Sequence, residues 1–421
     1  MRNVPKVVLY IPIVSVIFIS ACDRKPLKHK ESGTVSSVMM KQTTLPKPVV
    51  NVYIENSGSM DGYVKGQTDF KNAVYNYLSE IKISGITDTL NLNYINSKII
   101  TQNSNIGDFI QKLNPTSFKA KGGGRGTSDI SNVIKMILDE STNNSLSVLV
   151  SDCLFSPGKG IDADEYLVNQ QIGIKTNWAT ALKSKNLAVT IFQLSSQFQG
   201  YYFNREDKPT MIKAQRPYYI WIIGRTEYLE QLRSRVPDSR LKGSGALNTF
   251  TAFPESNNIN YHILPNSGTF DRDHGSKYVI KNIRKENKGK YIDKFTFGIG
   301  VDMSTIKLLL GDNYLLDSKN YILSLNSQDC SDYSIEIKTV KAKNDTHSLK
   351  FSTDRNPNGR IVLSLDRKVP DWVYSSTDDN GLNVEKAINK TYGLKYLIEG
   401  VHEAYIALNY KYYTTMTITV K

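Results

Sequence analysis

The sequence predicts an α/β protein: a doubly wound, mainly parallel sheet followed by a smaller, mostly antiparallel β domain. Three observations predict it. Apolar, β-branched runs at 49–54 and 146–150 are nearly continuous, as in strands buried on both faces. Segments with apolar residues three and four apart separate these runs, as crossover helices do in a parallel sheet. Beyond residue 290 the helical spacing gives way to short alternating segments parted by turn residues.

Composition bounds the answer. The chain has 421 residues, of which 40% are hydrophobic and 22% charged. That excludes a disordered protein, a collagen and a disulfide-dense miniature scaffold. The length suits about two or three domains. The 25 tyrosines favour sheet. A net charge of +13 attracts phosphates, anionic headgroups or acidic proteins. Three cysteines are too few for a disulfide framework, and no internal repeat is present.

The first 21 residues read as a signal peptide. Arg2 and Lys6 precede a mostly apolar stretch at 7–19, too short to span a bilayer. Ile19-Ser20-Ala21-Cys22 follows and resembles a bacterial lipobox. The resemblance implies cleavage before Cys22 and lipidation of its thiol. Residues 22–48 are polar and basic and end in Pro46-Lys47-Pro48, a flexible tether.

A first domain is expected over 49–237. Residues 49–54 form a buried strand. Residues 69–83 form a helix, with Phe70, Ala73, Val74, Tyr77, Leu78 and Ile81 on one face. A strand at 90–100 and a short helix at 106–113 come next. Residues 128–138 form a helix around Ile130, Val133, Ile134 and Ile137. A strand at 146–150, a helix at 164–183 and a strand at 188–194 continue the alternation. Residues 195–216 interrupt it as an extended hairpin, before a strand at 218–223 and a helix at 227–236. Gly, Ser, Asn and charged residues make 238–290 an irregular connector. A β-rich domain, patterned as a sandwich, fills 291–421. Its strands are at 295–301, 321–325, 334–340, 349–352, 361–365 and 412–420, with one helix at 384–404.

The chemistry concentrates at three strand ends and loops. The first strand closes in Ile54-Glu55-Asn56-Ser57-Gly58-Ser59-Met60, with oxygen side chains at 55, 57 and 59. The loop from Lys121 to Asp129 carries Thr127 into a helix. The strand at 146–150 ends in Ser151-Asp152. In open α/β sheets such strand ends converge where ligands bind. A Glu, two Ser, a Thr and an Asp make an all-oxygen, mostly neutral cup, which suits hard divalent cations.

Acidic-x-Ser-x-Ser, then Thr before a helix, then Asp after a buried strand resembles a von Willebrand factor A (vWA) domain over 49–237. The resemblance implies a metal-ion-dependent adhesion site. Ser57 and Ser59 would ligate the metal directly. Thr127 would ligate it directly or through water, and Asp152 mainly through water. Glu55 would hold the metal's waters. A partner's carboxylate would complete the coordination, and Mg²⁺ is the implied ion, with Mn²⁺ or Ca²⁺ as alternatives. Glu55 stands where the family has Asp, and reaches one methylene further. It either ligates directly, displaces a water, or spoils the octahedron that Mg²⁺ demands.

Competing readings are weaker. Asn56-Ser57-Gly58-Ser59 alone is a turn and helix start, but that leaves Thr127 and Asp152 unexplained. Gly122-Gly123-Gly124 lacks the Gly-Lys-Ser/Thr ending of a phosphate loop. Neither Ser57 nor Ser59 sits in a Gly-x-Ser-x-Gly frame, and the five histidines are scattered. Asp129 caps its helix. Lys121 and Arg125 either steer an acidic partner or are solvated. Cys153 and Cys330 read as two separate buried thiols, with a bridge between the two domains as the alternative that an oxidising envelope permits. The expected function is non-enzymatic. The chain is a lipid-anchored protein of the bacterial cell envelope, at the outer membrane, binding an acidic protein partner and no nucleic acid. The alternative is a metal-free structural component of an envelope assembly.

Overall fold

The computed structural model describes residues 45–126, 129–256 and 259–421. The signal peptide, Cys22 and most of the tether lie outside the described residues, as does Thr127. The first part alternates β1 (Val49–Glu55), α1 (Asp69–Ile83), β2 (Leu90–Ile95), β3 (Ile99–Gln102), α2 (Ile106–Gln111), α3 (Pro115–Ala120), α4 (Ile130–Glu140), β4 (Ser145–Ser151), α5 (Ala163–Ser184), β5 (Leu187–Phe203), β6 (Pro209–Arg225) and α6 (Thr226–Arg235). Four short strands follow: β7 (Asn248–Ala252), β8 (Asn260–Ile263), β9 (Thr269–Arg272) and β10 (Val279–Arg284). The remainder is β11 (Phe295–Asp302), α7 (Ser304–Leu310), α8 (Asp312–Leu316), β12 (Tyr321–Leu325), β13 (Gln328–Asp329), β14 (Ser334–Thr339), β15 (His347–Thr353), β16 (Gly359–Asp366), α9 (Asp371–Ser375), β17 (Thr377–Asp378), β18 (Thr391–Tyr392), α10 (Leu394–Ala407) and β19 (Tyr412–Val420).

Local signals set the helices. The Thr68 hydroxyl accepts the Lys71 N–H and starts α1, whose buried face is the six residues that the spacing selects. Asp129 does cap α4, accepting the Asn132 N–H at 3.0 Å. Asp162 caps α5 by accepting from Asp164 and Glu165.

One sheet organises this part, in the order β3-β2-β1-β4-β6-β5-β7. β1 is parallel to β2 and β4, whereas every other neighbouring pair is antiparallel. The expected mainly parallel sheet is therefore corrected to a mixed one. The cause is connectivity. β5 and β6 are joined by a short turn with no crossover helix, so they must run in opposite directions. β6 then lies between β4 and β5. Likewise the strand expected over 90–100 breaks at Asn96-Ser97-Lys98 and folds back as the β2–β3 hairpin.

Helices cover both faces of this sheet. Phe70 and Tyr77 of α1 meet Tyr218 and Phe192 edge to face. The alternate residues Ile191, Tyr219 and Trp221 share a core with α4 and α5 on the other side. The stretch 238–290, expected to be irregular, contains β7 to β10, and β7 becomes the last strand of the first sheet. Two outward carbonyls of β7 are already occupied. The Trp372 indole N–H donates to Thr249 O at 3.3 Å, and the Tyr413 hydroxyl to Thr251 O at 2.5 Å.

The later strands build a six-stranded sheet, β13-β12-β16-β19-β10-β9, and a four-stranded sheet, β14-β15-β11-β8. Their pairing is antiparallel except for β10 with β19. The helix expected from residue 384 begins only at Leu394. Gly393, at φ +76°, makes the turn before it. α10 packs on α5 rather than on the later sheets. Leu394, Leu397, Ile398, Val401 and Ala404 are fully enclosed there, and each larger one contributes about 2 kcal/mol of burial. The Tyr405 hydroxyl donates to Leu187 O and Ala252 O, tying this helix to β5 and β7.

Candidate functional site

The apolar residues of β1 seal it in the sheet and deliver Glu55 to its carboxyl end, opposite Ile95 of β2. The Asn56 N–H continues the pairing by donating to Ile95 O at 3.0 Å. The chain then turns through Ser57 and Gly58 into one turn of 3₁₀ helix, Ser59–Gly62. β4 ends beside β1, so Ser151 and Asp152 arrive at the same level.

Four of the five expected cup residues come together. The Ser57 and Ser59 hydroxyls lie 3.1 Å apart. Asp152 accepts a hydrogen bond from the Ser59 side chain and one from the Leu154 N–H at 3.2 Å. Glu55 takes a different path. Its carboxylate accepts a short hydrogen bond from the Ser151 hydroxyl, which in turn accepts the Cys153 N–H at 2.8 Å. Thr127 lies outside the described residues, so its place in the cup is carried by the sequence alone.

The site is enclosed. Glu55 is 1% exposed, Asp152 3%, Ser57 4% and Ser59 7%. Burial raises the Asp152 carboxyl well above the usual carboxylate range, and the Glu55 charge raises it further. The Ser59 hydroxyl, the Leu154 N–H and the Arg216 charge pull the other way. Glu55 and Asp152 are thus two buried acids close enough for the charge of one to act on the other.

Several residues of the site went unremarked in the sequence. Asn56 is buried, accepts from Asn96 Nδ2 at 2.9 Å and donates to Phe118 O at 3.3 Å. Asn96 also donates to Gly122 O at 2.9 Å, fastening the glycine loop to the strand ends. Arg216 of β6 is buried near the acids. Its guanidinium donates to Ile388 O at 3.0 Å and Lys390 O at 3.3 Å, and stacks over the Tyr202 ring at 4.5 Å. Arg216 stands just before the apolar run 217–223, and no motif in the sequence marks it.

The two bases of the glycine loop are hydrogen-bonded to the protein rather than simply solvated. Arg125 turns inward and donates to Asn56 O at 2.7 Å and Ser57 O at 3.2 Å. Lys121 donates to Gln102 Oε1 at 2.6 Å. Cys153 and Cys330 are both free thiols. Of the histidines, His347 is fully buried.

The donor set of the cup is two carboxylates and two hydroxyls, all hard oxygen atoms. That chemistry fits a divalent cation of the Mg²⁺ type. Among the described residues, no group of three or more His, Cys, Asp or Glu side chains is gathered as for a metal ion. A site here depends on hydroxyl ligands. Among the described residues, no helix is long and apolar enough to cross a membrane. Comparison with protein-family models, curated proteins and solved structures gives no significant match to this chain.

Proposed function

We propose that this chain is a lipid-anchored cell-envelope protein whose vWA-like domain binds a protein partner through a divalent ion held in the cup. The observation that carries the reading is the chain of contacts from Ser57 to Ser59 and from Ser59 to Asp152, with Glu55 adding a second buried carboxylate. The Ser57 and Ser59 hydroxyls would turn lone pairs to the ion. Asp152 would release its proton to solvent and face the ion as a carboxylate, directly or through water. Glu55, braced by Ser151, would orient water on the same side. A bound ion supplies residual positive charge and an exchangeable position for a partner's Asp or Glu. The strand order β2-β1-β4 at the sheet centre and helices on both faces support the domain reading. The anchor rests on Arg2, Lys6, the apolar stretch and Cys22.

Calorimetric titration with Mg²⁺ tests the ion. Saturable binding is expected for the wild type and none for Ser57→Ala/Ser59→Ala. No binding to the wild type would favour a second reading, a metal-free structural role. Buried Arg216 speaks for that role, since it already supplies a cation near Asp152. The anchor is tested by Cys22→Ala, which should move the protein out of the membrane fraction.

A further inference from the structure

The β5–β6 hairpin outruns its sheet. β5 leaves β7 after Gln193, and β6 joins β4 only from Tyr219. Between these points and the tip, the two strands pair with each other alone, out to Phe203 and Pro209. This ribbon folds over the turn that bears Ser57 and Ser59. The Phe198 ring lies directly on Gly62, where an added Cβ would fall 2.4 Å from ring atoms. Gly200 meets the same place backbone to backbone, since a Cβ on it would lie 2.8 Å from Gly62 Cα. The Phe203 ring approaches Gly58. Phe198 also meets the Tyr63 ring edge to face at 4.9 Å.

We propose that this ribbon is a lid on the carboxylate cup, and that it must lift before an acidic group from outside can reach the cup. The proposal rests on the partner-binding reading above. Two features make the ribbon a separable part. A lone two-stranded ribbon is marginally stable, so its closed position depends on the surface below it. Under Phe198, Gly200 and Phe203 that surface is two glycines and the Tyr63 ring, and under Ser196 and Gln197 it is the start of α1, not a continued sheet. At the tip, the Arg205 N–H donates to Gly381 O at 2.9 Å, and at the base Arg216 is clasped by the carbonyls of residues 388 and 390. Between these anchors, the closed state is held by Phe198 on Gly62, by Tyr202 in the core, and by Ser196 and Gln197, which bond the start of α1.

The test uses the full chain with Cys330→Ser and spin labels at Lys65→Cys and Met211→Cys, both exposed positions. Phe198→Ala should add a longer component to the distance distribution. The same variant should speed Mn²⁺ uptake by about tenfold, as the open population rises. If Phe198→Ala fails to fold, Phe198→Leu poses the same question. An unchanged distribution together with unchanged uptake would overturn the lid. A longer separation with no Mn²⁺ bound by either protein would support the moving ribbon and defeat the ion reading instead.

Discussion

Arg125 Nη2 lies 2.5 Å from the Asp61 carboxylate, joining residues 64 positions apart, with both side chains largely enclosed. The pair staples the glycine loop to the turn beneath the cup. Burial raises the Asp61 carboxyl, and the Arg125 charge opposes that rise.

Removing the arginine therefore does more than delete an ion pair. Arg125→Ala leaves Asp61 in its enclosure without a partner and uncovers the carbonyls of Asn56 and Ser57. We expect a loss of about 2 kcal/mol, read from urea unfolding midpoints at unchanged slope. The double variant Arg125→Gln/Asp61→Asn should recover part of it. A single variant as stable as the wild type would show that the staple contributes nothing.

Glu55→Asp bears on the ion. Shortening the side chain by one methylene draws its carboxylate away from the Ser151 hydroxyl and back toward the strand end. If the vWA-like geometry holds, Mg²⁺ affinity measured by calorimetry stays equal or rises. Loss of binding would mean that Glu55 reaches the ion through its own longer arm.

Gly393→Ala tests the start of α10. The residue sits at φ +76°, and a Cβ there would lie 2.5 Å from Phe155 and 2.6 Å from Leu167. Backbone strain and overpacking together should cost about 3 kcal/mol. Thermal unfolding checks this, and a midpoint within a degree of the wild type would refute it.

His402 makes stability depend on pH. Burial, and after it the Arg367 charge, lower its pKa from 6.5 to about 4, with Glu403 opposing both. The folded chain keeps the ring neutral, whereas the unfolded chain protonates it near its ordinary value. The stability from this ring is thus complete above about 6.5 and is lost as pH falls toward 4. The melting temperature should drop between pH 7 and pH 5, and His402→Gln should drop less. Equal slopes for the two proteins would remove His402 from the account.

Much of the fold was legible because local signals agreed with tertiary packing. The face of α1, the N-cap of α4 and the bounds of β12 and β19 follow from spacing and side-chain chemistry alone. Strand direction was not legible. Tyr218 and Tyr219 read as a buried strand in either orientation, and only the hairpin turn decides that β6 runs against β4. In the candidate cup, Ser57, Ser59 and Asp152 were readable as oxygen donors at strand ends. Ser151 and Arg216 were not, because a serine beside an aspartate and an arginine before a proline carry no motif. Their roles depend on contacts with Glu55 and with residues 388–390 that only folding creates.

The bonds from Trp372 and Tyr413 to β7 bear on how the chain behaves while incomplete. A bare strand edge is a template on which other chains can add and aggregate. Here the protecting donors lie 123 and 162 positions after the carbonyls they cover. A chain that stops before residue 372 would finish its first sheet with that margin open. Truncated products are therefore expected to clump through β7, and the late strands serve the early sheet as a built-in guard on solubility.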